Sequence, residues 1–499
     1  MTRGAAIPLI MTVVVIAGLV WLLGDSDRPE SGSMELLLFC AAGIKAPVEE
    51  IAKAYEEEFG VSIQIQYGGS GTLLSNLEIS NQGDLYIAAD TSYTDIARDK
   101  GLVLETLPLS LLEPVIAVPK GNPKGIESVD DLLRDGLRLS LANPDAASVG
   151  KTGKKLLTKI GLWERINSAV LENGVFKPTV NEVANDVKLG AVDATIVWDV
   201  TVNQYDELEA IAIRGSDDFV KHVTIGVLNA SRQSAKALRF ARYLAAPEKG
   251  SPIFEKHGFP SVPGDPWAKS PEILYYSGGV NRVAIEETLR SFQEREGVSI
   301  VTVYNGCGIL LGQIKSGGEP DLYHTCDASF MRGVEAQFGR AAEISRTDIV
   351  IIVQKGNPYN IRTLADLGAK KLQLGVCNED QSTLGTMTAN LLRENGLFDS
   401  VNRNVVVNTP TADLLVSQLT VGQLDAAIVY KANATYILDK ADVIPLGLDG
   451  AVATQTIAIA HETRNPQLLK RLEEALRTAE SEKRFLNSGF EWFPVSAAE

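Results

Sequence analysis

Residues 67–74 read YGGSGTLL, and residues 304–311 read YNGCGILL. These two glycine-rich stretches stand 237 positions apart, and one carries serine where the other carries cysteine. Each belongs to a longer match, because segments 49–90 and 286–327 align without a gap over 42 positions, 16 of them identical. Repetition on this scale indicates that one structural unit, about 230 residues long, occurs twice in the chain.

The similarity continues beyond these segments and sets the domain boundaries. VPKGNP (118–123) matches VQKGNP (353–358), and LANPDAASVGKTGKKLLTKIGLW (141–163) matches VCNEDQSTLGTMTANLLRENGLF (376–398). VKLGAVDATIVW (187–198) matches LTVGQLDAAIVY (419–430). The prolines and glycine of SVPGDPWAKSPE (261–272) suit a linker. We predict a first domain over residues 34–265 and a second over residues 266–499, after an N-terminal segment of residues 1–33.

The N-terminal segment has the composition of a membrane anchor. Residues 6–24, AIPLIMTVVVIAGLVWLLG, carry no charge, and their number is close to the ~20 residues that a helix needs to cross a bilayer. A secretory signal has a shorter apolar core and a small-residue cleavage site, which WLLGDSD lacks. We predict an uncleaved transmembrane helix that tethers an extracytoplasmic protein to the inner membrane. A cleaved signal and a buried helix are the alternatives.

Length and charge restrict the class of protein. A chain of 499 residues is too long for a single hydrophobic core. The formal charge of −16 argues against a nucleic-acid partner, because no basic stripe is present to replace the counterions around phosphates. It does not argue against a small anion, since backbone amides and helix N-termini bind anions without lysine or arginine.

Each unit alternates short β-rich runs with helical runs. LLLF (36–39), VSIQIQY (61–67), DLYIAA (84–89) and VIAVP (115–119) predict strands, whereas VEEIAKAYEEEF (48–59) and SVDDLLRDG (128–136) predict helices. This order predicts an α/β fold in which ligands sit beyond the carboxyl ends of the strands. The segments that follow the strands, CAAGIK, GGSGTLL, ADTS and NPDAASVG, are small-residue turns that present free amides at helix N-termini.

Motifs that would indicate an enzyme are absent or incomplete in the sequence. DAASVGKT (145–152) fails as a phosphate-binding loop because Asp145 takes the place of its first glycine. Asp84, Asp90, Asp321 and Asp327 recur at equivalent places, where aspartates cap helices and fix turns. The chain has four histidines and no recognisable Ser–His–Asp set. We therefore expect neither catalysis nor a cofactor.

The cysteines are unevenly divided between the units. Cys40 lies in the first unit, and Cys307, Cys326 and Cys377 lie in the second, each at or just after a strand end. His324 precedes Cys326 by two residues, so both point to the same face of a strand. Three interpretations remain open: thiols packed as small hydrophobic groups, a disulfide, or a soft-metal site for zinc or copper. The Ser-to-Cys exchange at Cys307 is predicted to turn the second unit away from hard oxyanions.

In order along the first unit, FCAAGIKAPVEEIA, YGGSGTLLSNLE, DLYIAAD, NPDAASVGKTGKKLLTKIGLW and ATIVW resemble the periplasmic molybdate-binding protein family of molybdate and tungstate ABC importers. The second unit resembles it through YSGGVNRVAIEE, YNGCGILLGQI, DLYHTCD and AAIVY. The resemblance implies two tandem periplasmic-binding-protein-like domains, each with two α/β lobes joined by crossing strands and a ligand cleft between them. It also implies an ABC permease as partner.

The resemblance also implies binding residues. The family holds a tetrahedral oxyanion with two serine hydroxyls, backbone amides and one tyrosine hydroxyl. In the first unit these positions, in that order, are Gly43, Ser70, Val149, Val180 and Trp198. In the second unit they are Val280, Cys307, Leu384, Ala412 and Tyr430, with Ser277 as a substitute hydroxyl near Val280. Neither unit carries the complete set.

The predicted function is an extracytoplasmic solute-binding protein that captures molybdate or tungstate for an ABC importer by closing two lobes about a hinge. Two alternatives keep the fold. In the first, the chain is a sensory or scaffold module with degenerate pockets. In the second, it binds another anion, or it binds a soft metal ion through Cys307, His324, Cys326 and Cys377.

Overall fold

A computed structural model of the chain describes residues 34–493. The predicted membrane anchor or signal, residues 1–33, lies outside the described residues, as do residues 494–499. Between residues 34 and 493, none of the helices has the length and apolar character needed to cross a membrane.

The first unit contains ten strands and nine α-helices among these residues. The strands are β1 (Met34–Ala41), β2 (Val61–Gly68), β3 (Leu85–Ala88), β4 (Val103–Leu112), β5 (Pro114–Pro119), β6 (Ser140–Ala142), β7 (Val175–Lys177), β8 (Thr195–Trp198), β9 (Leu208–Ala212) and β10 (Lys221–Leu228). The helices are α1 (Lys45–Phe59), α2 (Ser70–Ser80), α3 (Thr91–Asp99), α4 (Ser148–Lys159), α5 (Trp163–Asn173), α6 (Val180–Lys188), α7 (Asp199–Val202), α8 (Ser234–Ala245) and α9 (Gly250–Lys256).

The second unit, within the described range, repeats this order. Its strands are β11 (Glu272–Gly278), β12 (Ser299–Asn305), β13 (Leu322–His324), β14 (Ala342–Gln354), β15 (Leu374–Cys377), β16 (Val405–Thr409), β17 (Ala426–Tyr430), β18 (Ala441–Pro445), β19 (Val452–Ile459) and β20 (Glu491–Trp492). Its helices are α10 (Arg282–Glu296), α11 (Cys307–Lys315), α12 (Ala328–Met331), α13 (Leu364–Ala369), α14 (Thr383–Glu394), α15 (Phe398–Asn402), α16 (Ala412–Thr420), α17 (Lys431–Ala434), α18 (Pro466–Ala475) and α19 (Ala479–Asn487).

Separate sheets give the first unit two lobes. One lobe has the five-stranded sheet β2-β1-β3-β10-β4, in which β1 to β3 are parallel and β10 is antiparallel. The other has the three-stranded sheet β8-β5-β9 and the parallel pair β6-β7. The chain crosses between the lobes where β4 ends at Leu112 and β5 begins at Pro114. The Glu113 amide between these strands donates to Asp199 Oδ1 at 3.0 Å, which fixes the crossing point.

The second unit makes the same crossing with one long strand. Residues 342–348 of β14 pair with β19 in one lobe, and residues 349–354 pair with β17 and β18 in the other. The sheet order is β12-β11-β13-β19-β14-β17-β15-β16. The predicted α/β architecture is therefore confirmed in both units.

One predicted helix is wrong in kind. Residues 128–136 form only a short 3-10 helix at Asp130–Leu133. The Asp131 carboxylate accepts hydrogen bonds from the Glu127 and Ser128 amides at 2.9 Å, which ties the segment into a turn. Gly136 follows with a φ of 81°, a conformation that stops further helix growth.

The recurring aspartates have the structural roles predicted for them. Asp90 caps α3 by accepting from the Ser92 amide, and Asp327 caps α12 by accepting from the Ser329 amide. Asp84 and Asp321 each accept a strand amide at 2.9 Å, from Leu37 and Leu274 respectively. Asp90 and Asp327 thus fix the turns after β3 and β13, and Asp84 and Asp321 fix the turns before them.

A buried ion triad joins the two units. Glu296 at the end of α10 is 1% exposed. Its carboxylate accepts from Arg242 on α8 at 3.0 Å and from Arg471 on α18 at 2.6 Å and 3.1 Å. Beside it, Arg295 forms a two-pronged ion pair with Glu105 of the first unit. The contact between the units thus contains three charged groups removed from water and one partly exposed ion pair.

Candidate functional site

The glycine-rich turn after β2 is where the two lobes of the first unit meet. A Cβ on Gly69 would overlap the Ala146 carbonyl oxygen and lie 2.6 Å from the Pro178 oxygen. A Cβ on Gly71 would overlap the Asp145 oxygen. The Gly71 amide donates to the Ala146 oxygen at 2.9 Å, so the turn is bonded to the opposite lobe. Glycine is needed here because any side chain would hold the lobes apart.

The five positions predicted for the first unit line one small cavity. They are Gly43, Ser70, Val149, Val180 and Trp198. The cavity volume is ≈ 20 Å³, measured as the space open to the centre of a water molecule. One water needs roughly 10–15 Å³ on this measure, so the cavity suits a compact ligand and not an extended one. Its lining residues carry no charged side chain.

Ser70 is held so that its hydroxyl hydrogen is free. The residue is 1% exposed and begins α2. Its Oγ accepts from the Ala89 amide at 3.2 Å, and its backbone oxygen accepts from the Tyr86 hydroxyl at 2.7 Å. With Oγ used as an acceptor, the O–H group remains available to donate to a ligand.

Ser148 lines the same cavity, and the sequence reasoning did not single it out. It is the first residue of α4, is 4% exposed, and its hydroxyl has no hydrogen-bond partner among the described residues. A buried hydroxyl without a partner costs about 1–3 kcal/mol, which a bound acceptor would recover. The available signal was a hydroxyl residue directly before Val149, at the start of a helix.

Three helices begin at the cavity. They start at Ser70, Ser148 and Val180, all of which line it. The first turn of a helix leaves its N–H groups without partners in the helix, and the helix dipole adds a partial positive charge there. The Gly71 and Thr72 amides at the start of α2 donate to the Ala146 oxygen, so the backbone donors left for the cavity are those at the starts of α4 and α6. The lining itself contains no cationic side chain.

Gly43 and Trp198 are the positions at which this unit departs from the family pattern. A Cβ on Gly43 would lie 2.8 Å from Val180 Cγ1, so the space for the family serine is taken by Val180. Trp198 ends β8 and is 2% exposed, and its indole can donate but not accept. Ser148 thus supplies the second serine hydroxyl of the cavity in the absence of one at position 43.

The second unit repeats the contact between lobes. A Cβ on Gly306 would overlap the Gln381 oxygen and lie 2.5 Å from the Pro410 oxygen, and one on Gly308 would overlap the Asp380 oxygen. The remaining predicted positions are buried at helix starts or strand ends: Val280, Cys307, Leu384, Ala412 and Tyr430.

The hydroxyl groups of the second unit differ in availability. Ser277 Oγ donates to the Gly278 oxygen at 3.3 Å and accepts from Asn281 at 3.5 Å, so it is engaged within its own turn. The Tyr430 hydroxyl is buried and has no partner in the described part of the chain. Burial and the nearby Cys326 and Cys307 raise the pKa of Tyr430, which therefore stays protonated.

The residues of the soft-metal alternative do not come together as a set of ligands. Across residues 34–493, no cluster of three or more histidine, cysteine or acidic side chains is arranged to hold a metal ion. His324 Nδ1 is paired with the Tyr275 hydroxyl at 2.9 Å, and burial lowers the pKa of His324 to about 3. Cys377 lies beside Thr409, while Cys307 and Cys326 contact each other. All four cysteines are buried, and in this structure none of them is joined to another by a disulfide bond.

Known proteins match this chain over about half of its length. A protein of Haemophilus influenzae described as a binding protein is 29% identical over 231 residues, which is 45% of this chain and 90% of the relative. The molybdate-binding protein ModA of Escherichia coli is 25% identical over 233 residues, 45% of this chain and 88% of the relative. The periplasmic molybdate-binding protein of Azotobacter vinelandii has a solved structure with 18% identity and a TM-score of 0.40, covering 46% of this chain and 99% of that one.

The family assignment rests on two matches in tandem. Residues 36–260 and residues 273–491 each match the family described as bacterial extracellular solute-binding protein. That description is one of solute binding, and no catalytic family is indicated. The chain belongs to the bacterial extracellular solute-binding protein family and carries two copies of its fold in succession.

Proposed function

We propose that the first unit captures a small tetrahedral oxyanion, molybdate or tungstate, and delivers it to an ABC importer. The observation that carries this proposal is the single small cavity lined by all five predicted positions together with Ser148. Curated relatives named as molybdate-binding proteins support the choice of anion. The apolar segment at residues 6–24 would tether the protein to the membrane outside the cytoplasm.

The lining of the cavity contains no carboxylate, which favours a fully ionised anion. Two serine hydroxyls and the starts of α4 and α6 offer hydrogen bonds to oxygen atoms, and Trp198 in the lining carries an indole N–H. Molybdate and tungstate can accept on every oxygen. Hydrogen phosphate carries a proton that needs an acceptor, and without a carboxylate to accept it we expect this anion to bind more weakly.

Surface charge favours the first unit as the binder. Four lysines lie along α4, and their positions in the second unit hold no basic residue. The lysines are Lys151, Lys154, Lys155 and Lys159, against Thr386, Ala389, Asn390 and Glu394. In a chain of net charge −16, this local positive field would raise the rate at which anions reach the neighbouring cavity.

The proposal is tested by calorimetric titration of the full chain with molybdate, tungstate, sulfate and phosphate. We expect one site per chain, with molybdate and tungstate bound at least about tenfold more tightly than phosphate, a difference of about 1.4 kcal/mol. Absence of binding heat with all four anions would contradict the proposal and favour a sensory or scaffold module.

Ser70→Ala and Ser148→Ala are each expected to weaken molybdate binding by roughly 10- to 100-fold. A hydrogen bond to a charged group contributes about 1.5–3 kcal/mol, and each 1.4 kcal/mol is a factor of ten. Calorimetry on the full-length variants measures the loss. Thr383→Ala is the matched control, because Thr383 is the equivalent of Ser148 in the second unit. If Thr383→Ala weakens binding and Ser148→Ala does not, the site lies in the second unit.

A further inference from the structure

Two thiols are in contact in the second unit, and one of them, Cys307, lies at the position that Ser70 occupies in the first unit. Cys307 Sγ and Cys326 Sγ are 3.0 Å apart, and both residues are buried. The Cys326 amide donates to Cys307 Sγ at 3.1 Å. The sulfur atoms are roughly 1 Å farther apart than the ~2.05 Å of a disulfide bond, a gap that small side-chain rotations can close.

The contact between the two sulfur atoms depends on three positions at which the second unit differs from the first. The positions of Cys307 and Cys326 hold Ser70 and Ala89 in the first unit, joined by the same hydrogen bond from the amide to the side chain. Gly278, at the end of β11, takes the place of Ala41 at the end of β1. A Cβ at position 278 would overlap Cys326 Sγ and lie 3.0 Å from Cys307 Sγ. The glycine therefore provides the space that the two sulfurs occupy. Because these three differences occur at adjoining positions and fit one another, they indicate that the two thiols act together.

The surroundings suit thiol chemistry. Cys307 begins α11, and a helix N-terminus favours the thiolate, which is the reactive form. Burial opposes ionisation, but the contact with the Cys326 thiol and the hydrogen bond from the Cys326 amide lower the pKa of Cys307. A metal ion would need further ligands, and within residues 34–493 the pair has no third histidine, cysteine or acidic side chain placed to provide one.

We propose that Cys307 and Cys326 form a disulfide once the chain reaches an oxidising, extracytoplasmic space. The two thiols give up two protons and two electrons to the disulfide of a thiol oxidoreductase, which is released as a dithiol. The family is extracellular, where such bonds persist. The oxidised pair has no S–H group to donate where Ser70 has its O–H, so the second cleft loses that donor for an oxyanion.

The test is thiol mapping on the full chain exported to an oxidising compartment. Cells are quenched in acid, and the denatured protein is alkylated with N-ethylmaleimide without reductant, digested and analysed by mass spectrometry. We expect Cys40 and Cys377 to be labelled and a peptide pair joining Cys307 to Cys326. Reduction should make all four cysteines reactive.

Variants that restore the residues of the first unit provide the controls. In Cys326→Ala, Cys307 should become fully labelled without reduction, and in Cys307→Ser the same should hold for Cys326. Cys377→Ser should leave the linked peptide unchanged. Labelling of all four cysteines before reduction would overturn the proposal. Linkage of Cys307 to Cys377, or protection removed by a chelator and not by a reductant, would overturn it as well.

Discussion

Replacing Glu296 by glutamine is expected to lower the melting temperature of the protein by about 6–20 °C. Removing one partner of a buried ion pair costs about 3–5 kcal/mol, because the remaining charge is left uncompensated. For a domain of this size each kcal/mol shifts the melting temperature by about 2–4 °C. Here two guanidinium groups would lose their counter-charge, since Arg242 and Arg471 both bind this one carboxylate.

The glutamine variant is compared with two others by thermal unfolding followed by calorimetry. Glu294→Gln lies on the same helix at an exposed position and should change the melting temperature little. A triple variant with apolar residues at positions 242, 296 and 471 should recover most of the loss, because no charge then remains buried. An unchanged melting temperature in Glu296→Gln would mean that the triad does not stabilise the joined units.

Gly71→Ala is expected to reduce molybdate affinity more than 100-fold. The added methyl group would overlap the Asp145 carbonyl of the opposite lobe, so the lobes could not approach as closely as in the described structure. Displacement of the helix starts by about 1 Å is enough to misplace several donors at once. Alanine is a better helix former than glycine, so the loss would not result from an unstable α2.

Two alanine variants separate this effect from a general one. Gly308→Ala makes the matching overlap in the second unit and should leave molybdate affinity unchanged. Gly312→Ala lies in α11 with no atom within 4 Å of the new Cβ and should be neutral. Small-angle scattering should show ligand-induced compaction in both controls and not in Gly71→Ala. Normal affinity in Gly71→Ala would rule out the close contact as a condition for binding.

The alignment of the two halves predicted the turns that build the cavity because their chemistry is local. Small residues that follow a strand and precede a helix predict a tight turn that places the start of the helix at the edge of the sheet. Gly69 and Gly71 were therefore assigned to the correct turn, and the structure adds that both lie against backbone oxygens of the other lobe.

Features that depend on contacts between distant segments could not be predicted. Arg242, Glu296 and Arg471 are ordinary charged residues in helical patterns, and only packing reveals that they share one buried site. Ser148 was overlooked because the family pattern assigns a backbone amide to its neighbour. The differences at Gly278 and Cys326 can be seen by comparing the two units. Their connection becomes clear only from the structure, in which the segments that carry Gly278, Cys307 and Cys326 contact one another.

Anomalous diffraction from crystals of the full chain grown with tungstate tests most directly whether the first unit binds the oxyanion. We expect one strong tungsten peak per chain in the first unit, with oxygen atoms within hydrogen-bond distance of Ser70 Oγ and Ser148 Oγ. A strong peak elsewhere with the first cavity empty, or no peak at saturating tungstate, would contradict this expectation.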